Sequence, residues 1–174
     1  VGQAKVQALA QTIRALNPDI QVQTIQARVD EAQLLSLMPS VDVVVDCSDN
    51  FATRHAINRV CVHTKTPLVS GSAVRFEGQL AVYDARDECS PCYACAFEPT
   101  DNVSDGACAT LGIFAPVVGV VGAMQASLAL QVLLQLPVST GQLQTYHALN
   151  HEWLSFKLAR NPHCTVCRDD TAHK

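Results

Sequence analysis

Apolar positions along the chain switch repeatedly between a helical and a strand-like period, and that switching predicts an α/β protein. Val6, Leu9, Ala10, Ile13 and Leu16 recur at three- and four-residue steps, one face of a helix that Asn17-Pro18 terminates. Ile20 to Ala27 alternates as a strand does, with Ile20, Val22 and Thr24 set against Gln21 and Gln23. A short helix opens at Asp30-Glu31 and runs through Leu37 to Met38-Pro39. Val41 to Val45, with three valines in succession, predicts a strand buried on both faces, as in a parallel sheet. A helix over 52–64 follows, with Ala56, Ile57, Val60 and Cys61 on one face, then short strands at Pro67–Gly71 and Gly78–Asp84. Gln142 to Leu158 alternates as two antiparallel strands joined around Asn150-His151. Repeated helix–strand units imply βαβ connections and a mainly parallel sheet within a single domain.

Two stretches break the rhythm. Between Asp84 and Ala109, acids, prolines and cysteines dominate without periodicity, which predicts a long loop that is functional or tied down by metal. Leu111 to Leu136 then contains no charged residue. Its length would suit a bilayer span. Pro116, Gly119 and Gly122, glutamines at 125, 131 and 135, and the lack of flanking basic clusters favour a helix buried in the domain centre or at a subunit interface. Gly119 and Gly122 would let a second backbone approach closely there.

Composition narrows the function classes. With 48% hydrophobic and 16% charged residues, the chain can bury a full core. A net charge of −4 offers no electrostatic case for nucleic acid or an anionic membrane. No export signal is visible, so a cytoplasmic setting is expected, and the opening Val1-Gly2-Gln3-Ala4-Lys5, without an initiator Met, reads as a fragment of a longer protein.

Candidate chemistry concentrates in two places. Asp46-Cys47-Ser48-Asp49-Asn50 closes the valine strand, and in open α/β sheets ligands bind beyond the carboxyl ends of strands. Asp46 and Asp49 are therefore placed to hold a metal or polar ligand, although a turn cap at Asp46 and a helix N-cap at Asp49 or Asn50 would explain the same residues. Cys92-x-x-Cys95 and Cys164-x-x-Cys167 each present two thiols at one edge of a tetrahedron, and together they complete a four-cysteine zinc site; a redox dithiol or disulfide is the alternative. Four thiolates leave no open coordination position, so such a zinc is structural and staples the central loop to the tail. Cys89 lies close enough to compete as a ligand but has no partner at that spacing, and Cys47 and Cys61, on apolar elements, are expected in the core. Cys108, in Asp105-Gly106-Ala107-Cys108-Ala109-Thr110, is flanked by small residues; an accessible, reactive thiol and an inert, partly buried one both suit that setting.

Taken in order, Gly2-Gln3-x-Lys5, Asn17-Pro18, Asp46-Cys47-Ser48-Asp49-Asn50, Arg54, Pro67-Leu68-Val69-Ser70-Gly71, Gly78-Gln79, Cys92-x-x-Cys95, Gly119-x-x-Gly122 and Cys164-x-x-Cys167 resemble the ThiF/MoeB/HesA family, bacterial relatives of ubiquitin-activating enzymes. The resemblance implies a Rossmann-like adenylation domain, with residues 1–84 forming the α/β part and ATP-site edge, 85–110 the zinc and crossover loop, and 111–174 the apolar helix, C-terminal strands and zinc-binding tail. It implies an ATP- and Mg²⁺-dependent adenylyltransferase that activates the C-terminal glycine of a ubiquitin-like sulfur carrier (ThiS- or MoaD-like) in thiamine or molybdopterin biosynthesis. Lys5 and Asp49 fall on the family's ATP-binding lysine and aspartate, Asn50 sits beside the nucleotide, and Asp46 and Arg54 support them. Cys108 matches the cysteine that ThiF-like members link covalently to the carrier or a sulfur donor, a thiol that MoeB-like members do not need for adenylation. A sulfurtransferase or cysteine desulfurase is a further partner implied, and the charge-free Leu111–Leu136 helix with its closely spaced glycines predicts a homodimer with that helix near the interface.

The family's helix, strand, Gly-x-Gly nucleotide loop and arginine-bearing segment would precede Gly2. The chain therefore reads as the C-terminal two-thirds of such an enzyme, and alone it is expected to bind ATP weakly or not at all. A non-catalytic, zinc-stapled module that docks a ubiquitin-like protein is the other reading. A dehydrogenase is disfavoured by the absence of Gly-x-Gly-x-x-Gly.

Overall fold

The computed structural model describes residues 2–99 and 111–168. The chain divides into two compact units, Val1–Asp30 and Glu31–Lys174. In the first, α1 (Lys5–Leu16) ends where Asn17 leaves helical geometry with its N–H still bonded to Ile13 O at 2.9 Å, ahead of Pro18. The alternating segment 20–27 is not a strand: it forms no ladder among the described residues. Its bonds run back to α1 instead, Arg14 donating to Val22 O at 3.2 Å and Gln7 to the Thr24 hydroxyl at 3.2 Å. Alternation fixes which side chains share a face, but a strand also needs an edge to pair with.

The second unit is built on a five-stranded sheet in the order β1-β2-β3-β4-β5: β1 (Val44–Asp46), β2 (Leu68–Val74), β3 (Glu77–Tyr83), β4 (Gln142–His147) and β5 (Glu152–Lys157). Among the described residues only β1 and β2 run parallel, with Asp46 opposite Ser70 as the last pair, while β2–β3, β3–β4 and β4–β5 are antiparallel. The sheet is thus mixed, not mainly parallel. The reason is local: Arg75-Phe76 closes a tight β2–β3 hairpin, with Arg75 at φ 51, where the periodicity left room for a crossover. The Asn150-His151 turn between β4 and β5 is where the alternation placed it.

Helices cover both faces of the sheet. α2 (Glu31–Leu37) leads through a 3₁₀ turn (Met38–Ser40) into β1, and α3 (Phe51–Thr64) follows it. Cys61 of α3 packs with Leu68, Ala81, Tyr83 and Tyr93, the last from α4 (Tyr93–Ala96). On the opposite face, α5 (Ala115–Leu133) sets Val117 and Val121 against Leu80, and Ala129 and Val132 against Val69 and Val82. α5 sits close because β3 carries Gly78 beneath it: a Cβ there would meet Val121 Cγ2 at 2.5 Å.

Three expectations are corrected. β1 is an edge strand of the described sheet, and Val45 is 44% exposed instead of buried on both faces. Cys61 is in the core, but Cys47 is exposed, because the chain has already left the sheet when it reaches that residue. α5 buries only the stripe Val117, Val121, Gln125, Ala129 and Val132, leaving Val118, Leu130 and Leu133 exposed, so it is a half-covered helix and not a central one. α5 is long and apolar enough to cross a bilayer by length and composition; its buried stripe is nevertheless fitted to the sheet.

Candidate functional site

The carboxyl end of β1 opens into the turn Asp46–Asn50, and both sides of the sheet hold it. Asp46 is 2% exposed, and its Oδ1 accepts the Ser48 N–H at 2.8 Å, an Asx turn that swings the chain out of the strand. Asn50 is the N-cap of α3, its side chain accepting from Thr53 N at 2.8 Å, and its amide donates to Asp49 Oδ1 at 3.3 Å. Both readings of these residues thus hold together: Asp46 and Asn50 cap, and capping leaves Asp49 exposed at the rim. Asp49 lines a cleft of about 460 Å³ whose wall also includes Ser48, Arg54 and Val121. Among the described residues the buried Ser48 hydroxyl has no hydrogen-bond partner, and a polar ligand in the cleft would satisfy it.

Arg54, one turn into α3, is buried and makes four hydrogen bonds. Its guanidinium donates to Asp46 Oδ2 at 3.4 Å, to the Ser70 hydroxyl at 3.0 Å, to Gly71 O at 2.8 Å and to Ser48 O. A planar fork of five N–H donors can meet carboxylate, hydroxyl and carbonyls at once, which a lysine cannot. Arg54 therefore braces the turn against β2. Cys47 beside it has its thiol pushed above the ordinary range by burial and then by the Asp46 charge, and so stays protonated at neutral pH. Lys5 is exposed at the first position of α1, in the other compact unit. A cation there opposes the helix dipole, so its place is not explained by helix stability.

The second cluster is the predicted cysteine tetrad. Cys92, Cys95, Cys164 and Cys167 offer sulfurs that all lie within 4.8 Å of one another, and all four thiols are free. The spacings Cys92–Cys95 (3.9 Å), Cys92–Cys164 (3.7 Å) and Cys95–Cys167 (3.4 Å) approach the edge of about 3.8 Å that metal–sulfur bonds of about 2.3 Å give a tetrahedron. Burial raises the Cys92 thiol and pushes Cys167 up to about 11. At Cys164 burial acts the same way, but hydrogen bonds from the backbone N–H groups of Cys167 and Val166 and with the Cys167 and Cys92 thiols together lower the pKa. Four soft donors at tetrahedral spacing fit a zinc ion.

Residues that the sequence reading passed over support both clusters. Asn58, buried in α3, accepts from Tyr93 N at 2.9 Å and donates to Cys92 Sγ at 3.6 Å, orienting a ligand from outside the tetrad. Arg160 donates to Glu88 O and Cys167 O, pinning the tail to the central loop, and Asn161 N points to Cys95 Sγ at 3.4 Å. Gln125 of α5 donates to Asp46 O at 2.9 Å. The signal available for Asn58 and Gln125 was a polar side chain recurring in step with a buried helix stripe. Cys108 lies outside the described residues.

A mixed sheet covered by helices, an acidic turn at a strand's carboxyl end and four thiols converging from loop and tail place a ligand-sized cleft at the edge of an α/β domain. The chain belongs to the ThiF family, which matches residues 1–166. It is similar to the molybdopterin-synthase adenylyltransferase of Escherichia coli K12, 37% identical over 168 residues covering 96% of this chain and 67% of that protein. It is equally similar to the sulfur carrier protein ThiS adenylyltransferase of the same organism, 38% identical over 172 residues covering 99% of this chain and 68% of that one. The crystal structure of E. coli MccB superposes with a TM-score of 0.79 at 20% identity, covering 98% of this chain and 51% of MccB, which establishes the shared fold.

Because Arg54 compensates the buried Asp46, Arg54→Met should lower stability by about 3–5 kcal/mol in urea unfolding. Arg54→Lys should recover only a minor part of that loss. A change within about 0.5 kcal/mol for Arg54→Met would contradict the bracing role.

Proposed function

We propose that the full-length protein adenylylates the C-terminal glycine of a ubiquitin-like sulfur carrier of the ThiS or MoaD type, serving thiamine or molybdopterin biosynthesis. The observation that carries this reading is the turn Asp46–Asn50: an exposed carboxylate, Asp49, and the orphaned Ser48 hydroxyl share a cleft at the end of a parallel strand. The E. coli relatives are named for this chemistry, and the chain spans about two thirds of their length.

In this reading the carrier's carboxylate oxygen attacks the α-phosphorus of ATP, one P–O bond forms, and pyrophosphate leaves. Both partners are anionic, so the reaction needs cations aimed at the phosphates. Asp49 would hold Mg²⁺, a hard ion that takes carboxylate oxygens, with Asn50 beside it and Lys5 supplying a second positive charge. Arg54, in the cleft wall, would support the nucleotide edge by positioning the turn. Adenylylation needs no thiol, so Cys108 would serve only a later transfer, and a sulfurtransferase or cysteine desulfurase would supply the sulfur.

Zinc in the Cys92, Cys95, Cys164 and Cys167 site would act structurally, since four sulfur ligands leave no position for substrate. A homodimer is the assembly that best explains the exposed apolar side of α5, where a Cβ at Gly119 or Gly122 would meet nothing within 4 Å among the described residues, together with exposed Trp153, Leu154 and Phe156 on β5.

Full-length protein should catalyse carrier-dependent exchange of pyrophosphate into ATP, and Asp49→Ala should slow it by about 10²–10³-fold. Carrier binding that is identical with and without ATP, and no exchange, would instead support a non-catalytic docking module. Elemental analysis should find one zinc per chain, lost in Cys164→Ser together with thermal stability; a metal-free, stable wild type would contradict the staple. Sedimentation at micromolar concentration should show a dimer, and a persistent monomer would remove that assembly.

A further inference from the structure

Gln125 occupies a place where α5 needs an apolar residue. It is 3% exposed, and its companions on the buried stripe are Val117, Val121, Ala129 and Val132. A primary amide buried against a sheet is unfavourable unless its donors and acceptor are all engaged. Here they are. Nε2 donates to Asp46 O at 2.9 Å and to Val69 O at 3.3 Å, and Oε1 accepts from Cys47 Sγ at 3.4 Å. The two carbonyls belong to neighbouring strands, β1 and β2, at the point where their parallel ladder ends. The amide thus clips together the last two pairs of the ladder, Val45–Val69 and Asp46–Ser70.

The strand beneath is shaped for this side chain. A Cβ at Gly71 would lie 2.2 Å from Gln125 Cδ, 2.3 Å from Oε1 and 2.6 Å from Nε2. Any residue larger than glycine would push the amide off the carbonyls. Asp46 is therefore gripped from both faces of the sheet, its carboxylate by Arg54 of α3 and its backbone carbonyl by Gln125 of α5.

We infer that Gln125 is a positioning residue for the nucleotide edge: its amide, admitted by Gly71, fixes the end of β1 and so sets where the Asp46–Asn50 turn presents Asp49 to the cleft. The kinetic part of this inference rests on the adenylylation proposed above, and the structural part does not.

The test uses the full-length protein. Gln125→Met keeps the volume and removes the amide. It should leave far-UV circular dichroism and metal content unchanged, accelerate backbone hydrogen–deuterium exchange at Ser48–Asn50, and raise KM for Mg·ATP. Displacing a charge-bearing turn by about an ångström corresponds to a loss of roughly 10–100-fold in kcat/KM. Gly71→Ala should produce the same signature by displacing the amide. In a Gln125→Ala background Gly71→Ala should have no further effect, because the space its methyl needs has been vacated. The inference is overturned if Gln125→Met leaves both the amide exchange of the turn and KM for Mg·ATP at wild-type values. It is equally overturned if the Gly71 and Gln125 effects simply multiply. A wild type without pyrophosphate exchange would sink the adenylylation reading alone, and amide exchange at Ser48–Asn50 would still decide the role of Gln125.

Discussion

Burial of the Asp46 carboxylate against the Arg54 guanidinium is the constraint on which the rest of the site depends. Both side chains are almost completely removed from water, where an unpaired charge would be costly to hold. The pair is held by further hydrogen bonds: Ser48 N donates to Asp46, and Arg54 donates to the Ser70 hydroxyl, Gly71 O and Ser48 O. Those same bonds tie β1 to β2 and to the first turn of α3. Rigidity of the turn is thus a by-product of neutralising a buried charge, and Asp49 is left exposed at the rim with only the Asn50 amide against it among the described residues.

The cysteine tetrad solves a different problem. Among the described residues the central loop and the tail have little regular structure, and α4 is a single helical turn. Four thiols from two distant Cys-x-x-Cys turns converge there, steadied by Asn58 from α3 and by Arg160 from the tail. A metal bridging them would close a long loop, and so restrict the unfolded chain as well as the folded one. α3 serves both centres: Arg54 braces the acidic turn, and one turn later Asn58 orients Cys92.

How much of this the sequence disclosed follows from what kind of information residue spacing holds. Helix ends were readable where chemistry marks them, as at Asn17-Pro18, and the β4–β5 hairpin was readable from alternation around Asn150-His151. The tetrad was readable because Cys-x-x-Cys states its own geometry. Strand direction was not, since alternation is the same for parallel and antiparallel neighbours, and the hairpin at Arg75-Phe76 reversed the expected sheet. The exposure of α5 was also hidden: a charge-free sequence says that a helix dislikes water, not which surface covers it. Gln125 and Asn58 were visible only as polar interruptions, and their meaning came from the carbonyls and thiol they meet.

The central claim is that the cleft beside Asp49 activates a carboxylate at the expense of ATP. Intact-mass spectrometry of a sulfur carrier ending in glycine, after incubation with full-length protein, ATP and Mg²⁺, tests it most directly. The account predicts a carrier heavier by one adenylyl group at its C-terminus, and an unmodified carrier when Asp49→Ala replaces the wild type. A carrier that binds the wild-type protein yet keeps its original mass would contradict it.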